Sequence, residues 1–348
     1  MLLVLGSFAF AGGSKDSGGN VDVGISMPTQ STERWVTEGN EMVARLTRLG
    51  YTSVLQFAED HPDQQISQIE NMLNRGIKVL ICAPVDGTAL DGVLRQVKAS
   101  GALVIAYDRL LEETQHVDYY CTFDSIYIGG LMGSYIVDQL GLKDGRGPFN
   151  IELFAGSLDD NNTSLYFDGA MEMLRPYIDN RRLVVKSGQT NLNQCAILGW
   201  AAEVAQARMD NLLAANYADG SLVHAVLSPY DGLSIGIISS LKAVGYGSAN
   251  RPFPVITGQD AELPSIKSIL AGEQTQTVAL DLLSLVQVAV DMANQHIKGQ
   301  PVVTTMQPIH NGVKNVPAEG GRAVSADASN IVQQMVEFGL YTEAEMRN

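Results

Sequence analysis

A chain of 348 residues in which 45% are apolar and 18% charged has material for one large hydrophobic core or two medium ones. That excludes a disulfide-held miniprotein, a collagen-like repeat and a wholly disordered polypeptide. Its 38 acidic and 23 basic side chains leave a formal charge of −15 spread along the chain, which argues against nucleic acid or anionic membrane surfaces as partners. The 34 glycines beside only 7% aromatics point to many tight strand-to-helix turns, an α/β rather than an all-β economy.

In chain order, residues 1–11 (MLLVLGSFAFA) read as the end of a secretory signal peptide with an A-x-A cleavage pattern after Ala11, though without the usual basic start. The run is too short to span a bilayer. Residues 14–20 (SKDSGGN) read as a flexible tether, so residues 1–20 stand outside the folded body. No lipid-anchor cysteine lies there, and a soluble, periplasmic or otherwise extracytoplasmic protein is expected. From Val21 short apolar runs alternate with longer amphipathic ones, as in βα units feeding parallel sheets. The spacing predicts strands at 21–26, 52–57, 79–83, 103–107, 149–154, 183–187, 225–227 and 254–257. It predicts helices at 64–75, 89–99, 128–140, 168–175, 200–214, 232–244, 264–270 and 280–298. Two α/β halves result, the first with four strands up to Asp108 and the second opening after a link at 119–125. Cys82, Cys121 and Cys195 lie far apart with no CxxC or Cys/His pairing, so neither zinc nor a redox dithiol is indicated and buried free thiols are expected.

Ligands of parallel α/β sheets bind beyond the carboxyl ends of the strands. There the chain places Asp108-Arg109, the loop 156–162 with Asp160 and Asn162, Ser228-Pro229-Tyr230-Asp231, and Gly258-Gln259-Asp260; the loop after the first strand ends at Glu33-Arg34-Trp35. Any one of these is an ordinary turn or N-cap residue. Together, five loops deliver forked donors and double acceptors to one edge, a set matched to a neutral ligand bearing many hydroxyls. The only two tryptophans, Trp35 and Trp200, both begin amphipathic segments, where an indole face can receive the C–H face of a pyranose or simply fill a core gap.

Ordered stretches over nearly the whole chain after the tether carry a family resemblance: Glu33-Arg34-Trp35, Gln68-Ile69-Glu70-Asn71-Met72, Ala106-Tyr107-Asp108-Arg109, Asp160-Asn161-Asn162, Ser228-Pro229-Tyr230-Asp231-Gly232 and Gly258-Gln259-Asp260-Ala261. The chain resembles the periplasmic sugar-binding proteins of bacterial ABC importers, nearest the xylose-binding and multiple-sugar-binding receptors. The resemblance implies the type I periplasmic binding protein fold, two Rossmann-like α/β lobes joined by three hinge strands around a monosaccharide. Residues 21–124 with 277–304 would form the first lobe and 125–276 with 305–348 the second, with crossings near Asp124, Gln276 and Thr304. It assigns Arg34, Trp35, Asp108 and Arg109 of the first lobe and Asp160, Asn162, Trp200, Tyr230, Asp231 and Asp260 of the second to the sugar, the indoles stacking on opposite faces. It further implies a membrane permease as partner, a chemoreceptor or sensor as a second one, a monomeric state, and no cofactor or metal.

Two departures leave the sugar open among xylose, glucose, galactose and arabinose: Leu280 stands where family members carry Lys, and Tyr230 where xylose-type receptors carry Asn. The carboxylates also admit a glycosidase or isomerase reading, against which no GxSxG, GxGxxG or GxxxxGK[ST] motif is present. The effector domain of a sugar-responsive repressor would share the fold, but the first 20 residues hold no helix-turn-helix.

Overall fold

Val23–Met27 (β1) is the run VGISM, and all five of its residues are buried, the pattern of a strand covered on both faces. In the computed structural model, which describes residues 20–348, it is followed by α1 (Glu33–Arg48), β2 (Ser53–Phe57), α2 (Pro62–Asn74), β3 (Val79–Cys82), α3 (Asp91–Ala99), β4 (Leu103–Tyr107) and β5 (Tyr119–Thr122). β1 pairs in parallel with β2 and β3, and β4 and β5 extend the same parallel sheet. The expected signal segment and nearly all of the tether lie outside the described residues.

Asp124 caps α4 (Ser125–Gln139) by accepting from the Tyr127 amide at 2.9 Å and carries the chain into a second lobe. There follow β6 (Phe149–Leu153), α5 (Asn161–Asp179), β7 (Leu183–Val185), α6 (Leu192–Cys195), α7 (Ala202–Asn216), β8 (Ala225–Leu227), α8 (Asp231–Ala243), β9 (Val255–Ile256) and α9 (Leu263–Leu270). The second sheet has the order β7-β6-β8-β9, all parallel. The α/β architecture read from the sequence is the one observed, and each predicted strand is present within two residues at either end.

The return path differs from expectation. β10 (Thr277–Leu280) pairs antiparallel with β13 (Ala323–Ala326) and bridges Gln259 of the second lobe. It stays there because Ala279 and Ala326 pack with Ile266, Ile331 and Met335 in one apolar cluster. α10 (Leu282–Ile297), capped by Asp281, then returns to the first lobe, where its apolar face joins the cluster of Val23, Ile25 and Met42. The segment placed in the second lobe from residue 305 instead forms a hairpin, β11 (Met306–His310) and β12 (Asn315–Gly320), on the first sheet, with Ala318 opposite Tyr120 of β5. Val316 and Ala318 are fully buried against Val104 and Ala106, and that burial fixes the hairpin there. The crossings therefore fall at Asp124, Asp281 and Gly321, and the stretch 119–125 read as a link contains β5. The chain ends in the second lobe with α11 (Ile331–Phe338) and α12 (Glu343–Arg347).

α4 and α5 pack backbone to backbone. A Cβ on Gly129 would overlap the Tyr166 carbonyl oxygen, and one on Gly169 the Ile126 carbonyl oxygen. This close approach sets the position of α5, which carries Asn162 and Tyr166 toward the cleft. Alanine gains about 1 kcal/mol of helix propensity over glycine, yet backbone atoms cannot yield as a side chain can. Gly169→Ala is therefore expected to lower stability by a net 1–2 kcal/mol or so, read as a lower urea midpoint; an unchanged midpoint would refute the constraint. The three cysteines are buried free thiols, and no helix among the described residues is long and apolar enough to cross a membrane.

Candidate functional site

Arg34 is the second residue of α1 and is 5% exposed. Its guanidinium is met from three directions: Nε donates to Glu38 Oε1 at 2.6 Å, Nη2 to Asp108 Oδ2 at 2.7 Å and Nη1 to Asp260 Oδ1 at 3.2 Å. Asp108 follows the last residue of β4, and Asp260 lies in the loop after β9, so the last of these bonds joins the two lobes. Burial opposes the arginine charge, but the carboxylates of Asp108, Glu38 and Asp260 outweigh it and hold the group fully protonated. Burial raises the Asp260 carboxyl pKa, with Arg34 pulling it down.

A second arginine–aspartate pair spans the cleft nearby. Arg109 Nε lies 2.9 Å from Asp160 Oδ2. Asp160 is also the N-cap of α5, accepting from the Asn162 amide at 2.9 Å, so it caps a helix and lines the cavity at once. Burial raises its pKa and Arg109 opposes that. Asn162 Nδ2 donates to the Asp108 carbonyl at 3.1 Å, and the Leu110 amide to Asn161 Oδ1 at 2.7 Å. The lobes thus meet through hydrogen bonds as well as ion pairs.

Aromatic rings wall the space between. The face of Trp35 is covered by the Arg34 guanidinium at 4.6 Å and the Arg109 guanidinium at 5.5 Å. Trp200 closes a 3-10 turn, Leu198–Trp200, ahead of α7 instead of starting that helix as expected. Its ring lies over Gly156, where any Cβ would collide with it, and stands edge-on to Tyr166 and Tyr230 at 6.5 and 6.1 Å.

The cavity left between the lobes is small, with a volume of about 40 Å³. Nine of the ten expected residues line it: Arg34, Trp35, Asp108, Arg109, Asp160, Asn162, Trp200, Tyr230 and Asp260. The backbone is strained at four of its lining residues, Asp60, Asp108, Trp200 and Asp260, which take φ values of 59°, 61°, 55° and 91°. Such conformations cost of order 1–3 kcal/mol each and persist where the surroundings over-determine them. Three buried polar atoms of the wall, Arg109 Nε, Trp200 Nε1 and Gln259 Oε1, have no hydrogen-bond partner among the described residues, the first being held by Asp160 only as an ion pair. Two donors and one acceptor are thereby open to a ligand.

Asp231 is the exception. It is fully buried behind the wall, where Oδ1 accepts from Gln274 Nε2 at 2.8 Å and Oδ2 from the Glu262 amide at 3.0 Å and Thr277 Oγ1 at 3.1 Å. As the first residue of α8 it turns away from the side taken by Tyr230, and it braces β10 and α9 against α8. Leu280, the departure noted above, is buried in the core and does not line the cavity. Sequence reasoning missed Tyr166, Gln259, Thr29, Thr32 and Asp60 as wall residues. Gln259 was visible as part of Gly258-Gln259-Asp260, and Tyr166 follows Asn162 by one helical turn on the same face.

Fold and site together define a two-lobed binding protein with its ligand cavity between the lobes. Residues 23–301 match the periplasmic binding protein domain family, and the chain belongs to that family. It is 54% identical to the multiple sugar-binding periplasmic protein SbpA of Azospirillum brasilense, over 93% of this chain and 91% of that protein. Against the multiple sugar-binding periplasmic receptor ChvE of Rhizobium radiobacter the identity is 51%, over 93% and 92%. Among solved structures, an ABC transporter solute-binding protein from Clostridium phytofermentans with bound β-D-glucose superposes with a TM-score of 0.89 at 38% identity, covering 93% of this chain and 99% of that one.

Tyr230 donates to Glu262 at 2.8 Å. Burial, then the Asp260 charge, pushes the Glu262 carboxyl from 4.5 up to about 7. Folding therefore takes up a proton at this site between those values, and its stabilising effect fades as pH rises through 7. Relative to Glu262→Gln, the wild type is expected to lose up to about 3 kcal/mol between pH 5 and pH 8, measured by paired urea melts. Parallel pH profiles for the two proteins would disprove the assignment.

Proposed function

We propose that this protein captures a monosaccharide, an aldopentose or aldohexose such as xylose, glucose, galactose or arabinose, between two closing lobes in the periplasm. It delivers the sugar to an ABC-transporter permease and presents the closed form to a chemoreceptor or sensor. The observation that carries the reading is the pair of arginine–aspartate contacts, Arg34–Asp260 and Arg109–Asp160, reaching across one cavity walled by Trp35 and Trp200. In this reading the guanidinium groups donate to hydroxyl oxygens, the carboxylates accept hydroxyl hydrogens, and Trp200 supplies an apolar face to the ring while Trp35 backs the two arginines. Relatives named for several sugars and a neighbour with glucose bound support that chemistry.

Sugar adds contacts with both lobes at once, and only such differential contacts move the open–closed equilibrium. A micromolar Kd corresponds to about −8 kcal/mol, within reach of several charge-assisted hydrogen bonds and a ring contact after ordering costs. Closure proceeds within one chain and needs no second copy. The carboxylates act as acceptors and not as an acid–base pair, since Asp108 and Asp160 each already face an arginine, and named relatives are binding proteins.

A thermal-shift screen over aldopentoses and aldohexoses, followed by calorimetry, tests the reading; no binder in the screen, or turnover of a bound sugar, would sink it. Trp200→Ala is expected to weaken sugar binding by on the order of a hundredfold while the melting temperature of the free protein moves by less than about 3 °C. Loss of folding would instead mark Trp200 as core. Asp260→Ala is expected to abolish sugar-induced compaction in small-angle scattering, and unaltered compaction would remove it from the closing contacts.

A further inference from the structure

Glu38 does not line the cavity, yet it is fully buried and bonded directly to Arg34, which does. It lies one helical turn after Arg34 on the buried face of α1. Its Oε1 accepts from Arg34 Nε at 2.6 Å and its Oε2 from Arg34 Nη2 at 3.3 Å, so the carboxylate grips the guanidinium side-on. The hydroxyl of Tyr107, the fully buried last residue of β4, donates to the same Oε2. The next residue along the chain, Asp108, takes the other hydrogen of Nη2.

A guanidinium carries five N–H donors. Two go to Glu38, one to Asp108 and one to Asp260, which leaves one, on Nη1, at the edge turned toward the second lobe. A carboxylate so deeply buried is a poor way to gain stability, because desolvation cancels most of the attraction within a buried ion pair. What it does supply is orientation: with Nε and one side of Nη2 tied down, the fork cannot rotate, and Nη1 is presented to the cavity before any ligand arrives. We propose that Glu38, held by Tyr107, is a positioning residue that fixes the Arg34 guanidinium for ligand binding and for its bond to Asp260. The inference rests on the cavity being the sugar site.

The test is a double-mutant cycle read by titration calorimetry with D-glucose, D-galactose and D-xylose, on wild type, Glu38→Gln, Arg34→Lys and the double variant. Glutamine keeps the shape but turns an amide donor toward the arginine donors, so Glu38→Gln is expected to weaken binding about tenfold or more. If Glu38 acts through Arg34, the double variant binds within about twofold of Arg34→Lys alone; a residue that merely supports the fold would give additive losses. Wild-type affinity in a folded Glu38→Gln, or additivity in the cycle, overturns the role of Glu38 alone. Absence of wild-type binding to these three sugars and to every other aldopentose and aldohexose of the thermal-shift screen overturns the site reading and this inference with it. Should Glu38→Gln not fold, Tyr107→Phe takes its place in the cycle, with the same non-additivity expected and additivity again counting against the proposal.

Discussion

The structure depends on a buried guanidinium placed where two lobes meet. Arg34 cannot leave water without compensation, since an unpaired buried charge costs several kcal/mol. The compensating carboxylates come from the same helix (Glu38), the end of β4 (Asp108) and the loop after β9 (Asp260). Those residues are 4, 74 and 226 positions away in sequence, so satisfying one side chain requires α1, the first sheet and the second lobe to be in register at once. The topology that brings them together is the parallel sheet: strand ends on one edge of each lobe, facing each other across the cleft.

Strand ends that aim side chains into a cavity are not free to relax. Asp108 and Asp260 occupy left-handed backbone conformations, and the surroundings hold them there. The Asp108 amide donates to Cys121 at 2.7 Å while its carbonyl accepts from Tyr120 and Asn162; the Asp260 amide donates to Val278. The peptide groups of the site residues are therefore fixed by neighbouring strands, and the strain is borne by β5 and β10. Glycine appears where ring or side chain must lie directly on the main chain: Gly156 under Trp200, and Gly258 against the Asp231 carboxylate.

Much of this was legible in the sequence because the relevant signals are local. Buried parallel strands announce themselves as short apolar runs, and the residue after each run is the one presented at the sheet edge. That reasoning found Asp108, Arg109, Asp160, Tyr230 and Asp260. It failed at Asp231 because a strand-end rule does not resolve which of two consecutive residues faces the ligand once a helix begins between them. It also failed at the hairpin of β11 and β12, whose membership of the first sheet is decided by two buried side chains, Val316 and Ala318, packing on partners about 200 residues away. Glu38 is invisible to any strand-end rule, since it reads as one more acidic residue on an amphipathic helix.

The arginines that would recognise a sugar also hold the lobes together, and this sets how a ligand can drive closure. Arg34 and Arg109 each already contact an aspartate of the second lobe, so part of the closing energy is available to the protein alone. A ligand that simply replaced those contacts would gain nothing, because it would exchange one charge-assisted bond for another. It gains through groups left open when the lobes meet: the remaining Nη1 hydrogen of Arg34, Arg109 Nε, Trp200 Nε1 and Gln259 Oε1, the last three without hydrogen-bond partners in the wall. These lie on both lobes, Arg34 and Arg109 on the first and Trp200 and Gln259 on the second. A hydroxyl-rich ring satisfies them together only in the closed form, which is the condition for binding to shift the equilibrium. Under the proposed function it is these open groups, set beside arginines pinned among carboxylates, that would couple hydroxyl recognition to lobe closure.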